Sequence, residues 1–163
     1  MPDTETDVHR DAPFAHRTIE DFTAGEVFEY GAYEMSQAHI IAFAKQYDPH
    51  DFHTDPEAAK ATLYGGLIAS GLQTSSVFMA LLIEAFPNVA SLGSPGWDEL
   101  RWPNPVRPGD VLSVRTEIVE TRLSKSRPEM GIMTGRHQIK TQEGTRVFSV
   151  QNYWFIQRRE PGG

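Results

Sequence analysis

The densest chemistry in the 163-residue chain lies in nine consecutive residues, Tyr47-Asp48-Pro49-His50-Asp51-Phe52-His53-Thr54-Asp55, which hold three carboxylates and two imidazoles. Residues of these types allow three readings. His50 and His53, with Asp48 or Asp51, offer a short set of metal ligands that lacks a well-spaced third. A solvated acidic loop has the same composition and no chemistry. The third reading is a carboxylate and an imidazole converging on one water as general base and acid, a task that suits a group titrating near neutrality.

The elements that would hold this loop follow from periodicity and breakers. Glu26 to Met35 is rich in aromatics and reads as a strand. Ser36 then stands as an N-cap before Ile40, Ile41, Phe43, Ala44 and Tyr47 at helical spacing, and Pro49 ends that helix at Asp48. Thr54 or Asp55 caps a second, short helix from Pro56 to about Thr62. From Ala61 to Ile83 there are 23 residues without a charge. Gly65, Gly66, Ser70, Gly71 and Gln73 to Ser76 interrupt this run, unlike a lipid-facing span. It reads as a helix buried inside the protein, closed by Pro87.

Strands separated by turn signals follow. Trp97 to Trp102 is one, ended by Pro103-Asn104-Pro105, and Pro108-Gly109-Asp110 opens the next, in which Leu112, Val114, Thr116 and Ile118 alternate with polar residues. Met130–Gln142 and Arg146–Gln157 form a hairpin around Glu143-Gly144. The order predicts an α+β fold with an antiparallel sheet wrapped around the long helix, which would explain why that helix has no polar face.

The length suits one domain, and the absence of Cys excludes a disulfide framework and a thiol nucleophile. A net charge of -7 argues against nucleic acid and anionic membrane surfaces as partners. Residues 1–21 carry six acids against Arg10 and Arg17, so the rest of the chain is only mildly acidic. Residues 1–13 read as an acidic, disordered tail, 14–158 as the domain and 159–163 as a C-terminal tail. With neither a signal nor a transit pattern, a cytoplasmic protein is expected.

Phe43-Ala44-x-x-Tyr47-Asp48-Pro49-His50-Asp51-Phe52-His53-Thr54-Asp55-Pro56-Glu57-Ala58-Ala59, then Tyr64-Gly65-Gly66-Leu67-Ile68-Ala69-Ser70-Gly71, resembles the hydratase element of the MaoC-like family, which includes the R-specific enoyl-CoA hydratases. Pro105-Val106-Arg107-Pro108-Gly109-Asp110 follows in the family's order. The resemblance implies a hotdog fold, usually paired into a homodimer or higher even oligomer, and reversible hydration of a 2-enoyl-CoA thioester. By this resemblance Asp48 and His53 are the catalytic pair, with His53 as base and Asp48 orienting the water. Gly71 would turn its N–H to the thioester oxygen, and Gly66, Leu67, Ile68 and Ser70 would line the substrate. No metal or other cofactor is implied beyond the CoA of the substrate.

The chain departs from the pattern at four places. His50 and Asp51 replace an Asn and a Pro between the pair, and Ser70 stands where a His often precedes the helix glycine. Met79 stands where some members have a serine that supports the Asp, leaving Ser75 or Ser76 for that role. Among the remaining residues His39 reads as surface or packed, His9 and His16 as part of the tail region, Trp97, Trp102 and Trp154 as core or interface, and Lys125, Arg127 and Arg107 as solvated loop charges within the chemistry of CoA phosphates. A hotdog acyl-CoA thioesterase and a non-catalytic acyl-CoA-binding subunit are the alternatives. Against the thioesterase, Glu84 is the only acid on the long helix and sits near its end.

Overall fold

The computed structural model describes residues 17–159. The expected acidic tail over 1–13, with His9 and His16, lies outside the described residues, as do 160–163. Arg159, expected in the tail, donates its N–H to Glu20 at 3.0 Å and pairs through its guanidinium with Asp21.

Six strands form one antiparallel sheet. β1 (Val27–Glu34) is followed by α1 (Gln37–Tyr47), the single turn α2 (Asp51–Thr54), α3 (Pro56–Lys60) and the long α4 (Gly71–Ala85). Then come β2 (Ser91–Gly93), β3 (Trp97–Arg101), β4 (Val111–Leu123), β5 (Met130–Lys140) and β6 (Arg146–Gln157). In space the order is β1-β4-β5-β6-β2, with β3 also on β6. The expected elements therefore form, and three more appear, a 3-10 turn at Ile19–Asp21, α2 and β2. α2 is nucleated where the His50 carbonyl accepts from Thr54, and β2 is a short bridge to β6.

Alternation explains β4. Leu112, Val114, Thr116 and Ile118 are all buried on the face turned to α4, while Ser113 is exposed and Arg115 and Glu117 are half-buried. Phe78, in the middle of α4, packs on Phe148, Trp97 and His137 at 4.8–5.6 Å between ring centroids. At the helix's other end, Phe86 meets Phe22, Phe28, Tyr30 and Trp154.

The uncharged run 61–83 differs from a single buried helix in two ways. Residues 61–70 form turns and an extended segment, and the helix begins only at Gly71. The helix is also wrapped on one side only: Leu72 and Ile83 are each about half exposed, with Ser76, Ala80 and Glu84 beside them. The hydroxyls of Ser75 and Ser76 bond the carbonyls of Gly71 and Leu72, one turn back, so these polar residues are satisfied within the helix. Among the described residues no helix is long and apolar enough to cross a membrane.

A polar chain crosses the core. Tyr30 Oη lies 2.7 Å from Thr116 Oγ1, which lies 2.8 Å from His137 Nδ1, and His137 Nε2 lies 2.8 Å from Asn152 Oδ1. All the partners of His137 are neutral, so burial dominates and pushes its pKa down to about 4, against the opposing hydrogen bond that it donates to Asn152 Oδ1.

Candidate active site

Asp48 stands at the end of α1. Ser36 accepts from the His39 N–H to start that helix, and Pro49 stops it, leaving Asp48 as the C-cap. α2 then carries His53 inward, and α3 starts under Asp55, which accepts from the N–H groups of Glu57 and Ala58. The 61–70 segment is tied down on both sides. Ile68 N–H donates to the Phe52 carbonyl, Ala69 N–H to that of Val106, and the Arg107 guanidinium to that of Tyr64 at 2.6 Å. Gly65, at φ +66°, supplies the left-handed turn that feeds this segment.

These ties bring Asp48, His53, Ser70 and Gly71 together on the wall of a cavity of about 460 Å³, which residues 102–106 also line. His53 is 6% exposed. Its Nδ1 lies 2.8 Å from the Ile68 carbonyl, which can only accept, so Nδ1 carries a proton in either charge state, and in the neutral imidazole the lone pair falls on Nε2. Nε2 faces Asp48 Oδ2 at 3.3 Å. Two acceptors at that separation call for a donor between or beside them, which a water with its two O–H groups supplies.

Each oxygen of Asp48 has its own donor. Ser70 Oγ donates to Oδ2 at 2.7 Å, and His50 Nδ1 to Oδ1 at 2.6 Å. Partial desolvation raises the carboxyl, but the Ser70 and His50 hydrogen bonds and the charges of His53 and His50 outweigh it. The group is held below the usual carboxylate range. Ser70 is also the N-cap of α4, its Oγ accepting from Leu72 N–H. The N–H of Gly71 is the first of the helix, where no helical partner exists and the dipole favours negative charge. A Cβ on Gly71 would lie 2.6 Å from the Trp102 indole, so the ring closes on the helix start only because that residue is glycine.

Of the residues expected to line substrate, Ile68 and Ser70 do face the cavity. Gly66 instead lies beside the Arg107 guanidinium, and Leu67 is buried in the apolar core, so neither is on the wall. Neither Ser75 nor Ser76 supports Asp48, since both hydroxyls are turned to helix carbonyls. Ser70 takes that role, and Met79 packs against the core. Trp154 and Trp97 are core residues as expected, whereas Trp102 is 45% exposed and forms cavity wall. His39 is on the surface. Arg107 braces a loop rather than standing free, and Lys125 and Arg127 sit on the β4–β5 turn, at the far end of the sheet from Val106 and Val147. Among the described residues no group of three or more His, Asp or Glu is placed to hold a metal. The roles of Ser70, His50 and Trp102 are through-space facts. Only for Ser70 is there a local signal, a serine immediately before a helix-starting glycine.

Residues 17–139 match the model of the MaoC like domain family. YdeM, an uncharacterized protein of Bacillus subtilis, is 30% identical over 86% of this chain and 99% of its own length. A mesaconyl-CoA hydratase of Haloarcula marismortui is 37% identical over 40% of this chain, a match that spans 19% of that protein. Among solved structures, a MaoC-like dehydratase from Rhodospirillum rubrum superposes with a TM-score of 0.78 at 37% identity, covering 88% of this chain and 98% of that one. An (R)-hydratase from A. caviae involved in PHA biosynthesis superposes with a TM-score of 0.65 at 25% identity, covering 83% and 97%. A Mycobacterium tuberculosis protein with a double hotdog fold gives a TM-score of 0.75 at 18% identity, over 91% of this chain and 46% of that one. The expected architecture, a hotdog fold of α+β class, is thus found.

Proposed function

The chain belongs to the MaoC-like domain family, and from that premise we propose that it adds water reversibly across the 2,3 double bond of an enoyl-CoA thioester. What supports this reading most is the tautomer of His53. With Nδ1 committed to the Ile68 carbonyl, its basic Nε2 is held toward Asp48 Oδ2 on a cavity wall. In hydration, Nε2 accepts a proton from a water oriented by Asp48, and the hydroxyl adds to C3. The electrons move through C2 to the thioester oxygen, where the Gly71 N–H and the helix start meet the negative charge. The proton on Nε2 then passes to C2. Dehydration retraces the same steps.

This chemistry is proton transfer to and from an already polarised double bond, so the reading asks for no cofactor beyond the substrate's CoA. The working unit is proposed to be a homodimer or higher even oligomer in the cytoplasm. Glu84, the only acid on α4, is exposed and about 20 Å along the helix from Gly71, which gives a thioesterase reading no carboxylate from the long helix at this cavity.

The test is the loss of conjugated-thioester absorbance on crotonyl-CoA and on branched or longer enoyl-CoAs, with free CoA followed in parallel by a thiol reagent. Hydration without thiol release is expected. Thiol release without hydration would indicate a thioesterase, and CoA binding without turnover a non-catalytic subunit.

A further inference from the structure

The Asp48 carboxylate has two oxygens, and the proposed reaction uses one. Oδ2 faces His53 and Ser70, while Oδ1 accepts from His50 Nδ1 at 2.6 Å. The His50 side chain is 64% exposed, yet it is not a loose surface group. Its ring stacks on Phe52 at 5.1 Å between centroids and 11° between planes. Its carbonyl starts α2, accepting from the N–H groups of His53 and Thr54 and from the Thr54 hydroxyl. Backbone and ring are therefore both fixed. The titratable groups that face the ring are Asp48 from the end of α1 and His53 from α2, the latter edge-on at 6.2 Å.

We propose that His50 is a positioning residue, whose donation to Oδ1 turns Oδ2 of Asp48 toward His53 and Ser70. The proposal rests on the hydratase reading. A carboxylate held by a donor on one oxygen is free to swing about its terminal torsion, whereas one donor per oxygen fixes its plane. His50 serves in either protonation state, because Nδ1 donates in both. Its cationic form adds a positive charge beside Asp48, so the carboxylate stays ionised further into acid.

The test compares His50→Ala and His50→Asn with the wild type in kcat and KM for crotonyl-CoA across pH, and follows the Asp48 carboxyl carbon by NMR titration. Loss of one hydrogen bond to a charged group corresponds to about a tenfold lower kcat in His50→Ala, with KM little changed. The Asp48 titration should move to higher pH. His50→Asn, whose amide donates without titrating, should recover most of kcat. Wild-type kcat and an unmoved Asp48 titration in His50→Ala, or an Asn variant as slow as the Ala variant, would overturn the proposal. If the wild-type protein turns over no enoyl-CoA, the hydratase reading fails and the NMR arm decides alone. A higher Asp48 titration in His50→Ala then still supports positioning, and an unchanged one overturns it.

Discussion

His53 and His137 are both nearly inaccessible to water, both bonded at Nδ1, and differ in what faces Nε2. In the core, Nε2 of His137 meets a neutral amide, and in His53 it meets a carboxylate on a cavity wall. Burial with neutral partners makes a structural imidazole that resists protonation. Burial with a carbonyl behind and a carboxylate in front gives the imidazole a defined direction, which is what the proposed base requires. Partners, more than burial, separate a site from a core.

Exchanging the two roles by mutation gives the largest expected effect. His53→Ala should lower kcat/KM for crotonyl-CoA by about a thousandfold, the scale of a lost general base, with a minor change in Tm. His137→Ala should do the reverse, lowering Tm markedly while the folded fraction keeps its kcat, because it leaves Asn152 Oδ1 without its partner and Thr116 with Tyr30 alone. Thermal melts beside initial rates decide this, and a His137 variant that is stable but inactive would break the distinction.

Next comes the helix start. Gly71→Ala should cost about a hundredfold in kcat/KM, since its Cβ displaces Trp102 and disturbs the proposed oxyanion donor. Adding Trp102→Ala to Gly71→Ala should return part of the loss if the clash is the cause. Initial rates of both variants check this.

The third effect is in stability. The folded pKa of His137 is depressed, so the unfolded chain binds its proton first. Stability is fully present above about pH 6.5 and falls as pH drops toward about 4, by about 3 kcal/mol in all. Asp48, also depressed, contributes in a separate window, below the usual carboxylate pKa. Urea unfolding at pH 7 and pH 5 should show the first slope in the wild type and lose it in His137→Gln.

The smallest effect is Ser70→Ala, which removes one donor from Asp48. It should reduce kcat a few-fold and move the Asp48 titration to higher pH, read from initial rates and from an NMR titration of the Asp48 carboxyl carbon.

The two histidines also mark what was legible in the sequence. The loop 47–55 stood out because it concentrates titratable groups, and within it only the family resemblance singled out Asp48 and His53, whereas β4 stood out because Leu112, Val114, Thr116 and Ile118 share a face. His137 sits in a strand with no local mark, and only the fold brings Thr116 and Asn152 to its two nitrogens. Ser70 supports Asp48 from 22 residues away, a distance no local pattern spans. The uncharged run misled on the extent of burial, because a helix covered on one side and a loop braced by Arg107 both go without charge.

The most direct test of the central claim is a double-mutant cycle in kcat/KM for crotonyl-CoA with Asp48→Asn, His53→Ala and the pair. If both groups act on one water, each single variant loses most of the rate and the double loses little more. Losses that simply multiply, or a double variant retaining wild-type activity, would contradict it.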